Sequence, residues 1–130
     1  DHTREGYLDE VRALCDGNGP ELILEMLADV NLAADLDLVA KYGRIIIIGN
    51  RGEITINPRM TMMKELDVRG LALFNGAPEL MREIMSDLVA GLEDGSLYPI
   101  VGREMPLAEA AAGHVAVLEP GAFGKIVLVP

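Results

Sequence analysis

Four isoleucines stand side by side at positions 45–48, and no other feature of the sequence constrains the fold as strongly. A half-exposed strand alternates apolar and polar residues, whereas an unbroken β-branched run is typical of a strand covered by helices on both faces. Shorter apolar runs occur before it, at residues 22–24, and after it, at residues 68–74. Segments with helical spacing lie between the three runs. We therefore expect the strands to be parallel and the crossover connections to be right-handed. The sequence therefore predicts an α/β fold with a Rossmann-like, doubly wound parallel sheet.

Glycine and proline residues mark the ends of the predicted helices. Helical spacing extends over residues 3–15, 31–42, 58–65 and 78–92, with Gly43 in the position of a helix C-cap glycine and Gly95 closing the last of these helices. Beyond Gly95 the regular alternation of predicted strands and helices ends. Residues 98–101 are expected to be extended, residues 106–117 to form an alanine-rich helix and residues 125–129 to form a final strand.

The composition argues against two classes of partner. Lys and Arg number 11 against 21 Asp and Glu, and the net charge of −10 opposes the phosphate backbone of nucleic acid. The apolar runs are far shorter than the roughly 18 to 20 residues that span a membrane. Cys15 is the only cysteine, which excludes an internal disulfide and fits a reducing compartment, and the N-terminus does not resemble a signal peptide. We expect a cytoplasmic protein that binds neither nucleic acid nor membrane.

Ligands of parallel sheets bind at the carboxyl ends of the strands, which here selects the loops at residues 27–31, 49–52 and 75–78. In the second loop, two glycines permit close backbone approach, Asn50 offers an amide and Arg51 offers a planar cation suited to phosphate. The same pattern also describes a simple glycine turn, and spacing alone does not separate these interpretations. Asn31 likewise either binds a ligand or caps the helix that follows, and the cap is the favoured interpretation.

Other candidate groups carry less information. His2 is expected to be a solvated terminal residue. Glu25 ends the first strand, and no second carboxylate at a defined spacing suggests an acid/base pair. The chain contains no G-x-G-x-x-G motif, no cluster of zinc ligands and no activated serine or cysteine. Catalytic residues therefore remain unknown from the sequence.

The combination of several segments resembles the zinc-independent quinone oxidoreductases of the zeta-crystallin type, in the medium-chain dehydrogenase/reductase family. The matching segments, in order, are residues 25–32, 43–49, 51–52, 56–59, 63–65, 70–74, 95–99, 106–107, 112–114 and 124–128. The resemblance implies hydride transfer from NADPH, with NADH as the open alternative, to a quinone, an enone or another activated double bond, without zinc. It also implies a homodimer formed through the strand from Val68 to Phe74. The implied cofactor contacts are His2, Asn31, Ile48, Gly49, Asn50, Arg51, Leu71, Ala72 and Leu73.

The same resemblance implies a longer parent protein. Relatives carry a GroES-like catalytic domain, a first strand and a glycine-rich phosphate loop before the point where Asp1 stands. We therefore expect residues 1–95 to be the second part of a nucleotide-binding domain and residues 96–130 to be the tail. The 130-residue chain alone is expected to be an inactive fragment. The alternative is a non-catalytic Rossmann-like module for assembly or small-ligand binding.

Overall fold

The computed structural model describes residues 4–119, 121 and 123–130, and the chain divides into two compact units, Asp1–Asn75 and Gly76–Pro130. The elements of the first unit are α1 (Tyr7–Leu14), β1 (Leu22–Glu25), α2 (Ala28–Leu38), β2 (Arg44–Ile47), α3 (Arg59–Lys64), β3 (Asp67–Gly70) and a 3-10 turn (Leu73–Asn75). Those of the second are α4 (Pro78–Glu93), β4 (Val101–Pro106), a 3-10 turn (Leu107–Glu109), α5 (Ala110–Ala116) and β5 (Lys125–Val129).

The three strands of the first unit form one parallel sheet in the order β1-β2-β3. Ile45 pairs with Ile23 on one side and with Val68 on the other, so the isoleucine run is the central strand. Strand, helix and strand alternate along the chain, as the sequence predicts. The parallel α/β fold is thereby confirmed.

The core of the first unit lies between the sheet and α2. Leu36, Val39 and Ile45 are fully buried, and Ile23 and Ile47 from the same face of the sheet pack against them. The opposite face is more open, because Leu22 and Leu24 are exposed. The expectation of a strand covered on both faces is therefore correct for only one face within this unit.

Helix α2 differs from the expected helix at both ends. It begins at Ala28 rather than Asn31, so Asn31 is a helical residue and not the cap. It ends at Leu38 with Val39 as its C-cap, so Gly43 is not the helix C-cap glycine that we expected. Gly43 instead fills a tight space, since an added Cβ would lie 2.8 Å from the carbonyl oxygen of Ala40.

The third strand is shorter than the apolar run that predicts it. Strand β3 ends at Gly70, although the Leu71 amide still donates to the Ile47 carbonyl at 2.8 Å. The chain then turns through the 3-10 segment Leu73–Asn75. Apolar character therefore continues past the last ladder position, which is why hydrophobicity alone overestimates the strand.

In the second unit, α4 begins with Pro78 at its first turn, as expected, and Gly95 follows its end with a φ of 77°. Strands β4 and β5 form a parallel pair. Strand β4 runs over Val101–Pro106 and so begins where the extended segment predicted at residues 98–101 ends. The predicted alanine-rich helix is split into the 3-10 turn and α5. In the described part of the chain, no helix combines the length and the apolarity that crossing a membrane requires.

Candidate functional site

The loops that follow β1, β2 and β3 meet at one edge of the parallel sheet. The amides of Ile48 and Gly49 donate to the carbonyl of Glu25 at 2.8 and 3.2 Å, and the amide of Ala28 donates to the carbonyl of Gly49 at 3.0 Å. These bonds join the loop after β1 to the loop after β2. The third loop begins at Leu71, which is bonded to Ile47. The structure thus brings Asn31, Arg51 and Leu71 to the same edge, as expected for loops that follow parallel strands. Because β3 ends at Gly70, the third loop begins at Leu71, earlier than the loop at residues 75–78 that the sequence selects.

The loop after β2 is fixed by its backbone and by one carboxylate. Gly49 lies so close to the loop after β1 that an added Cβ would stand 2.1 Å from the carbonyl oxygen of Met26. Asp29 Oδ1 accepts the Arg51 amide at 3.0 Å, and Asn50 Nδ2 donates to the Gly52 carbonyl at 2.7 Å. The Arg51 side chain forms no ion pair within residues 4–119, 121 and 123–130. Its guanidinium is thus available to an anionic ligand.

The remaining predicted contacts divide into three groups. Ile48, Leu71, Ala72 and Leu73 are exposed around the same edge of the sheet. Asn31 is half-buried in the first turn of α2, where its Nδ2 donates to Glu25 Oε1 at 3.2 Å. His2 lies outside the described residues.

Two buried carboxyl groups lie directly behind this edge. Glu25, the last residue of β1, is 5% exposed, and Asp35 in α2 is 7% exposed. Their carboxyl groups are within hydrogen-bonding reach of each other. The expectation that Glu25 has no carboxylate partner is therefore wrong, because folding brings α2 back over β1. The sequence did hold a signal: Asp35 interrupts the apolar stripe formed by Leu32, Leu36 and Val39.

The pKa values of the two carboxyl groups are shifted in opposite directions. Burial, and after it the hydrogen bond with Glu25 and the negative charge of Glu25, together raise the pKa of Asp35 to about 7. Burial also acts to raise the pKa of Glu25, but hydrogen bonds from Asp35, Leu27, Asn31 and Met26 outweigh it, and the net pKa is lowered. Two buried carboxylates cannot both ionise at low cost, so these environments favour the proton on Asp35 and the charge on Glu25.

Comparison with known proteins identifies the family to which the chain belongs. The family model described as "Zinc-binding dehydrogenase" matches residues 1–128. The chain belongs to the zinc-binding dehydrogenase family. The resemblance to quinone oxidoreductases of the medium-chain dehydrogenase/reductase type is confirmed by relatives in the same family.

Among curated relatives, the chain is similar to quinone oxidoreductase of Homo sapiens, with 40% identity over 129 residues, covering 98% of this chain and 39% of that protein. Quinone oxidoreductase of Mus musculus is 37% identical over 131 residues, covering 98% of this chain and 40% of that protein. The chain thus spans about two fifths of the length of these zinc-binding dehydrogenase family members.

Solved structures of other proteins share the fold. An NAD-dependent alcohol dehydrogenase superposes with a TM-score of 0.83 at 27% identity, covering 99% of this chain and 36% of that one. A quinone oxidoreductase of Pseudomonas syringae pv. Tomato DC3000 superposes with a TM-score of 0.82 at 23% identity, covering 100% of this chain and 42% of that one. At that identity, the second similarity concerns the fold alone.

The family description mentions zinc, which the sequence gives no reason to expect here. Within residues 4–119, 121 and 123–130, no group of three or more His, Cys, Asp or Glu side chains could hold a metal ion. Zinc independence of the whole protein remains a prediction.

Proposed function

We propose that this chain supplies part of the NADPH-binding surface of a quinone oxidoreductase, which transfers hydride from the nicotinamide to a quinone, an enone or another activated double bond. The observation that carries the proposal is the meeting of three post-strand loops at one sheet edge, where dinucleotides bind in such folds. The similarity to quinone oxidoreductases at up to 40% identity supports the substrate class. The protein's part in such chemistry is to hold and orient the cofactor.

In this proposal, Gly49, Asn50 and Arg51 receive the nucleotide after β2. Asp29 fixes the Arg51 backbone and leaves the guanidinium free to meet a phosphate. Asn31 and Ile48 line the adjoining loops, and residues 71–73 provide an apolar surface for the nicotinamide. His2 is proposed as a contact from the resemblance alone.

The organisation of the whole protein is also part of the proposal. Residues 1–95 would complete a nucleotide-binding domain and residues 96–130 would form its tail. Since the 130 residues contain no glycine-rich phosphate motif, the chain alone is expected to bind NADPH weakly and to show no quinone reductase turnover. Zinc independence, preference for NADPH over NADH and a cytoplasmic location stay predictions.

A homodimer is proposed through the outer edge of β3. Within the described sheet, β3 pairs only with β2, and it leaves its other edge unpaired. Val68, Leu71, Leu73 and Phe74 are exposed along or just beyond that edge. An unpaired strand edge with apolar neighbours favours pairing with a second copy, and a two-fold axis would make the contact antiparallel and isologous.

The test of the cofactor site is an Arg51→Ala substitution in the full-length polypeptide that carries this sequence. Loss of a charge-assisted phosphate contact should weaken NADPH binding about tenfold, measured by quenching or enhancement of NADPH fluorescence. Arg59→Ala is the matched control, because Arg59 is exposed on α3 and should leave the affinity unchanged. Equal affinities of wild type and Arg51→Ala would contradict the assignment. A wild-type protein that binds no NADPH would favour the non-catalytic module instead.

A further inference from the structure

Among the residues that the structure describes, no cation pairs with the two buried carboxyl groups. The neighbouring helices carry Arg12 and Lys64, and both are engaged elsewhere. Arg12 pairs with Asp37 Oδ2 at 2.9 Å, and Lys64 Nζ donates to the Val39 carbonyl at 2.8 Å. In the described part of the chain, neither Glu25 nor Asp35 forms an ion pair. Among the described residues, the charge that raises the pKa of Asp35 is that of Glu25.

The hydrogen bonds of the pair are distributed unequally. Glu25 Oε1 accepts the Leu27 amide and the Asn31 side-chain amide. Asp35 Oδ2 is buried and has no partner among the described residues. A buried oxygen without a donor is costly for a carboxylate, whereas a protonated carboxyl can turn that oxygen into a donor toward Glu25.

Glu25 connects this hydrogen bond to the loops after β1 and β2. Its side chain holds the first residues of the loop after β1, and its carbonyl accepts the amides of Ile48 and Gly49 from the loop after β2. Asn31, a proposed cofactor contact, is bonded to the same carboxylate oxygen. A hydrogen bond that orients Glu25 therefore affects the position of both loops.

We propose that Glu25 and Asp35 share one proton, that Asp35 donates it to Glu25, and that Asp35 is thereby a positioning residue for the nucleotide-binding edge. Asp35 touches no ligand in this account. It fixes the orientation of the Glu25 carboxylate, which in turn fixes Leu27 and Asn31. The positioning role rests on the proposed function, but the shared proton does not.

The shared proton is tested without any ligand, by NMR of the full-length polypeptide. The Asp35 carboxyl carbon should titrate near neutral pH, and the side-chain amide signals of Asn31 should shift with the same midpoint. In Asp35→Asn that midpoint should disappear from the Asn31 signals. An Asp35 carbon that titrates below about pH 5, as an ordinary aspartate does, would overturn the shared proton.

The positioning role is tested by NADPH titration of three variants. Asp35→Ala should weaken NADPH binding about tenfold, because Glu25 loses its donor. Asp35→Asn retains a donor and should bind within about twofold of wild type at pH 6.5. Asp37→Asn, an exposed carboxyl on the same helix segment, is the control and should behave as wild type.

A pH series separates positioning from general damage to the fold. From about pH 6.5 to about pH 9, wild type should lose affinity about fivefold as Asp35 ionises, whereas Asp35→Asn should not. NADPH itself titrates equally in all samples, so the ratio of variant to wild type isolates Asp35. Identical affinities and pH profiles in all three variants would overturn the positioning role. Absence of NADPH binding by wild type would remove the proposed function and this role together, and the NMR result would still decide the proton.

Discussion

Gly49 shows how one residue type fixes the arrangement of two loops. Its missing side chain allows the loop after β2 to lie directly against the Met26 carbonyl, and its own carbonyl then accepts the Ala28 amide at 3.0 Å. The sequence identifies Gly49 as a candidate only through its place after an apolar strand. The reason for glycine there is backbone contact between two loops, which local sequence does not reveal.

A Gly49→Ala substitution is expected to destabilise the fold by about 2 kcal/mol, since the new Cβ would stand 2.1 Å from a backbone oxygen that cannot move aside alone. Gly70→Ala is the matched control, because no atom lies within 4 Å of the Cβ it would add. Urea unfolding monitored by circular dichroism gives both values. An unchanged midpoint for Gly49→Ala would show that the loops are not in this contact.

The Asp35 carboxyl should make stability depend on pH in a definite direction. Its pKa rises from 3.8 in the unfolded chain to about 7 on folding, so the folded state binds the proton more tightly. The stabilisation is complete below about pH 4 and is lost as pH rises toward 7. Glu25 acts oppositely, because its lowered pKa adds stability above its ordinary value of 4.5 that disappears as pH falls through the lowered value.

The free energy of unfolding of wild type, relative to Asp35→Asn, should therefore fall by on the order of 3 kcal/mol between about pH 4 and about pH 8. Denaturant titrations at several pH values measure this difference, in which the carboxyl groups that do not contact Asp35 cancel. A difference that stays constant, or rises with pH, would contradict the assignment of the proton to Asp35.

At the scale of elements, the ends of α2 are satisfied by groups outside the helix rather than by the caps that the sequence predicts. At its N-terminus, the Ala28 amide bonds to Gly49 and the Leu27 amide bonds to Glu25. At its C-terminus, Lys64 from α3 donates to the carbonyls of Asp37 and Val39. This explains the errors at both ends of the predicted helix, since Asn31 was not required as the cap at the start and no glycine was required at the end.

Lys64→Met is expected to cost about 1 to 3 kcal/mol of stability, because it leaves the last carbonyls of α2 without their donor. Lys41→Met is the matched control. Lys41 is exposed and lies 4.0 Å from Glu65, so its loss should leave the stability close to that of wild type. Thermal unfolding of both variants against wild type provides the comparison, and equal losses for the two lysines would argue against a capping role for Lys64.

At the scale of the whole molecule, the proposed homodimer can be tested by placing a charge on its contact surface. Phe74 is 90% exposed just beyond β3, and Leu14 on α1 is comparably exposed at 86%. A glutamate at position 74 would place two charges at a two-fold interface, whereas one at position 14 would not. The two positions therefore provide a matched pair.

Light scattering of the full-length polypeptide at micromolar concentration should give twice the mass of one chain for wild type and Leu14→Glu. Phe74→Glu should shift the protein toward monomer at the same concentration, because apposed buried charges oppose association. A monomeric wild type would refute the dimer. A dimer that Phe74→Glu leaves intact would locate the contact away from β3.

The sequence by itself determined the parallel α/β class, the three strands of the first sheet, the long helix from Pro78 and the family. The fold class, the strands and the helix depend on local periodicity and on glycine and proline. The family was identified by the resemblance of several sequence segments. The ends of α2 and β3, and the partner of Glu25, were decided only by the tertiary structure. Glu25 and Asp35 are ten positions apart and meet because α2 folds back over β1. Whether a buried polar atom is satisfied depends on that packing, and no local pattern encodes it.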